Sequence, residues 1–211
     1  MKLFLFGVTG NAGQAILQEA LSRGHTVTAA ARQTGFFHPV GKASVVTADV
    51  LDTVSLKDTI KGHDAVIVAI SGRKSGHDTV ARAATNLLAT MPEAGVARLL
   101  WVGGAGSLEV APGVRLVDTP QFPAAYKEEA LGQAAALQTL RAGKTSVNWT
   151  YVSPPAMIGV GGRSGKYRVG GDQLLADSTG VSTITWIDFA VAVVDELEKN
   201  AHPQARITVA Y

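Results

Sequence analysis

The sequence predicts an α/β fold in which a parallel sheet carries helices on both faces. Short apolar runs alternate along the chain with longer segments of helical spacing, and some runs are apolar at every position, as in Ala65–Ile70. Strands with one exposed face would alternate apolar and polar residues, whereas strands buried on both faces do not. The 211 residues are expected to form one domain, residues 1–211.

Each apolar run is predicted to be a strand. In chain order the runs are Lys2–Phe6, Thr26–Ala31, Ala43–Thr47, Asp64–Ile70, Ala97–Val102, Ser146–Val152 and Arg206–Tyr211. Between them, apolar residues recur three and four positions apart, which is typical of amphipathic helices. These stripes lie within Ala12–Leu21, Val80–Met91, Leu131–Leu140 and Ala190–Leu197, with a shorter and weaker one within Thr53–Ile60. Such alternation predicts right-handed βαβ units and a doubly wound sheet.

Composition excludes several classes of protein. Hydrophobic residues make up 46% of the chain and charged residues 17%, which excludes intrinsic disorder. The net charge is only +2, and no block of Lys and Arg suggests a nucleic acid or membrane partner. Without cysteine, disulfides and cysteine-ligated metals are excluded, and no metal site is predicted. No signal peptide or membrane span is recognised, so we expect a cytoplasmic protein with a small-molecule substrate. The oligomeric state stays open.

Three glycines give the strongest functional signal. Gly7, Gly10 and Gly13 follow the first predicted strand and open the first predicted helix, in a GxxGxxG spacing. A pyrophosphate needs backbone N–H groups at a helix N-terminus with no side chain in the way. Gly7 allows a tight turn, Gly10 lets a phosphate approach, and Gly13 lets helix and strand pack closely. The motif predicts a dinucleotide-binding Rossmann fold.

Two positions bear on which dinucleotide binds. Arg32 ends the second strand, where an acidic residue would hold the ribose 2′-hydroxyl of NAD and an arginine accommodates the 2′-phosphate of NADP. We therefore expect NADP(H) to be preferred, with NAD(H) possible; the alternative is a solvated surface arginine. Asp49 and Val50 follow the third strand, where an acid can accept from the adenine amino group, or merely cap a helix.

The ends of two further strands are predicted to border the ligand crevice. Ala69, Ile70 and Ser71 end the fourth strand, beside the first, and Gly103 and Ser107 follow the fifth. Ser107 could donate a hydrogen bond to substrate or be an ordinary loop serine. His77, after the fourth strand, could also contact a ligand. Two glycine-rich loops, 103–123 and 154–182, leave the carboxyl ends of strands, and the second is expected to form a lid.

The Tyr-x-x-x-Lys pair of many short-chain dehydrogenases is missing. Tyr126 is followed four residues later by Ala130, and Tyr151 by Pro155. The nucleophile-elbow and P-loop motifs are also absent, so neither a serine hydrolase nor a P-loop enzyme is indicated.

Taken together, these motifs resemble the atypical short-chain dehydrogenase/reductases. Within them the chain is most similar to the NADH–flavin reductase group, which is related to NmrA-like proteins and to biliverdin reductase B. The resemblance extends over the whole chain and is carried by Gly7–Gly13, Arg32, Asp49-Val50, Gly103–Ser107, Val152–Pro155, Gly161–Asp172, Ile187–Ala190 and Arg206–Tyr211. It implies NAD(P)H binding and, by extension, flavin reduction. It also implies that Thr9, Asn11 and Ala12 contact the phosphates and that Ser153, Pro154 and Pro155 pass beside the nicotinamide.

The sequence thus suggests NADPH-dependent reduction of a flavin or similar aromatic acceptor by direct hydride transfer. FMN or FAD would be a substrate rather than a bound cofactor, and Ser107 and Tyr126 would assist. Arg163, Lys166 and Arg168 would meet the FMN phosphate, unless they form only a solvated basic loop. The alternatives are an NmrA-type sensor that binds NADP without turnover and a quinone reductase. A sugar epimerase ranks last, because it would require the Tyr-x-x-x-Lys pair.

Overall fold

The computed structural model describes residues 1–33, 41, 43–73, 76 and 78–211; His77 lies outside the described residues. The first half of the chain contains β1 (Lys2–Phe6), α1 (Asn11–Ser22), β2 (Thr26–Ala31), β3 (Ala43–Thr47), α2 (Leu56–Ile60), β4 (Ala65–Val68), α3 (Asp78–Ala94) and β5 (Arg98–Val102). The second half contains β6 (Glu109–Ala111), β7 (Val114–Arg115), α4 (Ala124–Ala142), β8 (Asn148–Ser153), β9 (Met157–Gly159), β10 (Arg168–Gly170), β11 (Thr183–Thr185), α5 (Trp186–Lys199) and β12 (Ala205–Ala210).

Eight strands form one sheet in the order β10-β12-β8-β5-β4-β1-β2-β3. All neighbours are parallel except β10, which runs antiparallel to β12. The order reverses between β1 and β4, so the topological switch point lies there. This arrangement confirms the predicted doubly wound Rossmann fold.

The apolar runs are continuous because each strand contributes to two cores. In β1, Leu3 and Leu5 pack against α1 and α5 on one face, while Phe4 and Phe6 pack against α2, α3 and α4 on the other. The second core also buries Trp101 of β5 completely. Burial of a large apolar side chain contributes roughly 1.5–3 kcal/mol, so both cores are substantial.

The two long loops contain short strands that the apolar pattern does not predict. β6 and β7 pair as a hairpin, and β9 pairs in parallel with β11 in a separate small sheet. The predicted strand Asp64–Ile70 is also shorter than expected, since β4 ends at Val68. Ala69 and Ile70 leave the strand at the switch point.

No helix in the described part of the chain combines the length and the apolar character that crossing a bilayer requires.

Candidate functional site

The glycine turn between β1 and α1 leaves almost no room at two of its three glycines. Gly7 has a φ of +85°, and a Cβ there would lie 2.2 Å from the carbonyl oxygen of Ala69. A Cβ on Gly13 would lie 2.2 Å from the carbonyl oxygen of Gly7. Glycine at both positions therefore lets β1, β4 and α1 approach closely, as the sequence predicts.

Gly10 differs from these two glycines. It is the N-cap of α1, with an ordinary φ of −88°, and no side chain caps the helix. An added Cβ would meet only the carbonyl oxygen of Gly7, at 3.6 Å. The ladder of α1 starts with the N–H of Gln14, which donates to the carbonyl of Gly10 at 2.9 Å. The N–H groups of Asn11 and Ala12 precede the ladder, and such groups favour an anion.

A cleft of about 830 Å³ lies over the switch point, at the carboxyl ends of β4, β5 and β8. The structure brings these predicted residues together in its lining: Gly10, Asn11, Ala12, Ala69, Ile70, Ser71, Gly103, Tyr126, Pro154 and Pro155. The lining also includes large apolar side chains, which are those of Phe122, Met157, Ile158, Trp186 and Phe189. The cleft thus joins a helix N-terminus to an aromatic and aliphatic surface.

The other predicted residues do not line the cleft; they are Gly7, Thr9, Gly13, Arg32, Asp49, Val50, Ser107 and Ser153. Thr9 is exposed, directly before Gly10. Arg32 is exposed one residue beyond β2, and within the described ranges its side chain forms no hydrogen bond or ion pair. Arg32 is thus positioned at the same edge of the sheet as the glycine turn.

Asp49 and Val50 have local roles in the structure. A carboxylate oxygen of Asp49 accepts from the N–H of Leu51 at 2.9 Å, which closes a local turn and does not cap a helix, because α2 begins only at Leu56. The side chain of Val50 is buried in the core, and its carbonyl accepts from Asn86 Nδ2 at 3.2 Å. Asp49 is exposed, so its second oxygen faces solvent.

Ser107 and Ser153 are not presented to the cleft. Arg206 donates to the Ser107 hydroxyl at 3.2 Å, and the same guanidinium pairs with Asp172. Ser107 therefore joins loop 103–123 to β12 rather than pointing at a substrate. Ser153 is fully buried, and its hydroxyl has no hydrogen-bond partner in the described ranges.

The expected lid differs from the structure over most of its length. Only residues 154–158 of the segment 154–182 line the cleft. Arg163 pairs with Glu19 of α1, and Arg168 donates to the carbonyl oxygens of Ala176 and Tyr211. Lys166 and Arg168 instead line a separate open hollow of about 590 Å³. None of Arg163, Lys166 and Arg168 lines the cleft in the described part of the chain, so the prediction that they meet the FMN phosphate gains no support from this arrangement and stays a prediction.

Asp188 anchors the loop within this segment. Its carboxylate accepts from the N–H groups of Ser164 at 3.0 Å and Gly165 at 2.8 Å, and from the hydroxyls of Ser164 and Tyr211, each at 2.6 Å. Burial disfavours the Asp188 anion, but these hydrogen bonds outweigh it and lower the pKa of Asp188 to about 2. The loop around Ser164 is thus bonded to the start of α5.

Helix α4 adds three cleft residues that the sequence does not predict, Ala130 and the polar Glu129 and Gln133. The Gln133 side-chain amide accepts from Trp101 Nε1 at 3.3 Å and donates to the Ile70 carbonyl at 3.0 Å. It also donates to Glu129 Oε1 at 3.2 Å, whereas Glu129 Oε2 is buried with no partner in the described ranges. Residues 126, 129 and 133 are three and four positions apart, so they lie on one face of α4. Because Tyr126 is a predicted site residue, this spacing could have identified Glu129 and Gln133 from the sequence.

Tyr126 and Tyr151 differ in what they can do. Tyr126 is 51% exposed in the cleft, with the Arg73 guanidinium 5.1 Å from its ring centroid. Tyr151 is fully buried, donates to the Gln133 carbonyl at 2.9 Å and accepts from the Gly104 N–H at 3.1 Å. Burial raises the pKa of Tyr151 far above its usual range. Tyr151 therefore supports the site, and Tyr126 is the tyrosine that a ligand can reach.

Comparison with known proteins agrees with this geometry. A family model described as NAD(P)H-binding matches residues 7–200. The protein YwnB of Bacillus subtilis (strain 168) is 38% identical over 212 residues, which cover 99% of this chain and 98% of YwnB.

Solved structures match this chain over its whole length. A putative NADH-flavin reductase from Streptococcus pneumoniae TIGR4 has 35% identity and a TM-score of 0.88, with 99% of that chain covered. A putative epimerase from Bacteroides thetaiotaomicron has 36% identity and a TM-score of 0.91, with 96% of that chain covered. With its glycine turn, switch-point cleft and strand order, the chain belongs to the NAD(P)H-binding family of oxidoreductase-like proteins, with the Rossmann fold of the atypical short-chain dehydrogenase/reductases.

Proposed function

We propose that this protein binds NADPH and transfers its hydride to a flavin or a similar flat aromatic acceptor. The observation that carries the proposal is that one cleft contains both the uncapped N-terminus of α1 and a wall of large apolar side chains. The first suits a pyrophosphate, and the second suits a planar ring. The name of the Streptococcus pneumoniae relative points in the same direction.

The cofactor fits the residues present. The space beside Gly10, which a side chain would fill, leaves room for a phosphate at the N–H groups of Asn11 and Ala12. Arg32 would pair with the 2′-phosphate of NADP, and Asp49 has an oxygen left for the adenine amino group. Pro154 and Pro155, which line the cleft after β8, would border the nicotinamide.

When bound, the dinucleotide supplies the hydride, and the protein contributes proximity and exclusion of water. Tyr126 lines the cleft and can donate a hydrogen bond to negative charge that develops on the acceptor. Ser107 is bonded to Arg206 instead, so we assign it a structural part. A dedicated acid is not required, because reduced flavin can take its proton from water. This accounts for a reductase without a Tyr-x-x-x-Lys pair.

The test is NADPH oxidation, followed by its absorbance, with FMN, riboflavin and 2-methyl-1,4-naphthoquinone as acceptors. We expect oxidation that depends on flavin and saturates with it, and a Gly10→Val control that loses it. Tight NADPH binding without oxidation by any acceptor would contradict the proposal and support a sensor. Oxidation by the naphthoquinone alone would support the quinone reductase. The cytoplasmic location remains a prediction.

A further inference from the structure

Glu129 is the one carboxylate among the described residues that line the cleft. An ionised carboxylate offers about four acceptor positions, yet among the described residues Glu129 receives a single hydrogen bond, from Gln133 at 3.2 Å. Its Oε2 is shielded from water and has no partner among the described residues. A buried acceptor without a donor is unfavourable, so a ligand that brings a donor to this carboxylate would restore the missing bond.

The hydrogen bonds of Gln133 fix which groups face Glu129. Trp101 Nε1 can only donate and the Ile70 carbonyl can only accept, so the Gln133 amide has one possible orientation. Its Nε2 must then face Glu129 Oε1. The remaining capacity of Glu129 is purely that of an acceptor. Because Oε2 is shielded, a ligand would reach it by rotation about χ3, a torsion with a broad energy profile.

We propose that Glu129 selects the acceptor by accepting a hydrogen bond from an N–H group on the edge of its ring system. The isoalloxazine of a flavin has such a group at N3, between two carbonyls, whereas a simple quinone has only carbonyls. Arg73 and Tyr126, which line the same cleft, are donors suited to flanking carbonyls. The inference rests on the proposed function and narrows it to imide-bearing acceptors.

The experiment compares lumiflavin with 3-methyllumiflavin, which lacks the N3 hydrogen. Binding to the NADP⁺ complex is measured by flavin fluorescence, and kcat/KM is measured with NADPH. The wild type should prefer lumiflavin by roughly tenfold to a hundredfold, the usual range for a hydrogen bond to a charged group. This ligand-side comparison needs no variant, so it does not depend on how any variant folds.

Glu129→Gln is the protein-side test. Because its new amide must turn its oxygen toward Gln133 Nε2, its NH₂ group would face the ligand, and the preference for lumiflavin should vanish or reverse. Glu128→Gln, one residue earlier and exposed, is the matched control and should keep the wild-type preference. Thermal unfolding checks that both variants are folded.

Equal binding of the two flavins by the wild type, or a preference that survives in Glu129→Gln, would overturn the role of Glu129. If the wild type binds the two flavins equally and still reduces them, the proposed function stands and only the inference about Glu129 fails. If neither flavin binds the NADP⁺ complex, both fail.

Discussion

Two carboxylates in different regions of the molecule differ in how completely the protein satisfies their hydrogen bonds. Asp188, at the start of α5, receives hydrogen bonds from two backbone N–H groups and two hydroxyls. Glu129, on the cleft side of α4, receives one and keeps one oxygen unpaired within the described ranges. A polar group whose hydrogen bonds are all made within the protein stabilises the fold. A polar group beside a cleft that lacks a hydrogen-bond partner is available to a ligand.

Removing the Asp188 carboxylate should have the largest effect, a loss of folding stability. Asp188→Ala removes a fully buried acceptor shared by two N–H groups and two hydroxyls, so we expect a loss of about 3 kcal/mol in the free energy of unfolding. Urea denaturation measures it. Asp177→Ala is a control: Asp177 also accepts from backbone N–H groups, but it is exposed, and its loss should be much smaller. Similar losses in the two variants would contradict the role given to Asp188.

The same carboxylate predicts a pH dependence. Because the folded pKa of Asp188, about 2, lies below the unfolded value, its stabilisation is complete above pH ~4 and is lost as the pH falls towards 2. Asp188→Asn should show a shallower loss of stability over that range. Parallel pH profiles for the wild type and the variant would refute this assignment.

A side chain at the N-terminus of α1 should weaken NADPH binding and leave the stability of the fold unchanged. Gly10→Val places a side chain beside the N–H groups of α1, at a position whose backbone suits valine. Loss of two hydrogen bonds to a phosphate would weaken NADPH binding roughly a hundredfold or more. Calorimetric titration measures the affinity and thermal unfolding the stability. Gly162→Val is the control: among the described residues no atom lies within 4 Å of a Cβ added there, and Gly162 does not line the cleft, so the variant should bind NADPH as the wild type does.

Arg32 should distinguish the two dinucleotides. Loss of a charge-assisted contact in Arg32→Ala should weaken NADPH binding about tenfold to a hundredfold and leave NADH binding nearly unchanged. Arg163→Ala serves as a contrast, because Arg163 pairs with Glu19 and should affect stability without changing the dinucleotide preference. A wild type that binds both dinucleotides equally would rule out the role of Arg32.

The smallest effect is expected from substitution of Lys166, for which we predict no change in the preference between flavins. It lines the separate hollow, so Lys166→Ala should leave the ratio of FMN to riboflavin activity unchanged at low and at high salt. A ratio that falls in the variant at low salt only would mean that the segment 160–180 reaches the cleft during turnover, contrary to its bonding to α1 and α5.

The fold was predictable because its signals are local. Runs such as Lys2–Phe6 are apolar throughout since each strand supplies two cores, and the glycine motif follows β1 directly. The short strands β9, β10 and β11 were not predictable, because their pairing depends on distant partners such as β12. Local sequence carries no record of such pairs.

The cofactor side of the cleft was also easier to predict than the acceptor side. Gly10, Asn11 and Ala12 are adjacent in sequence, so one motif identifies them. Glu129 and Gln133 acquire their meaning from Trp101 and Ile70, which lie on other elements. Arg163 and Lys166 were expected at the cleft because nothing in the sequence shows that Asp188 binds the loop between them.

The antiparallel strand β10 has a consequence for how copies of the chain can meet. By pairing with Thr208–Ala210, it covers part of β12, which would otherwise expose a six-residue ladder at the margin of the sheet. The margin that remains consists of this three-residue strand, which begins with Arg168, and the three residues of β12 that it does not cover. Short, charged border strands resist the addition of a foreign strand. Intermolecular sheet extension, a common route to aggregation, is thereby disfavoured on this side.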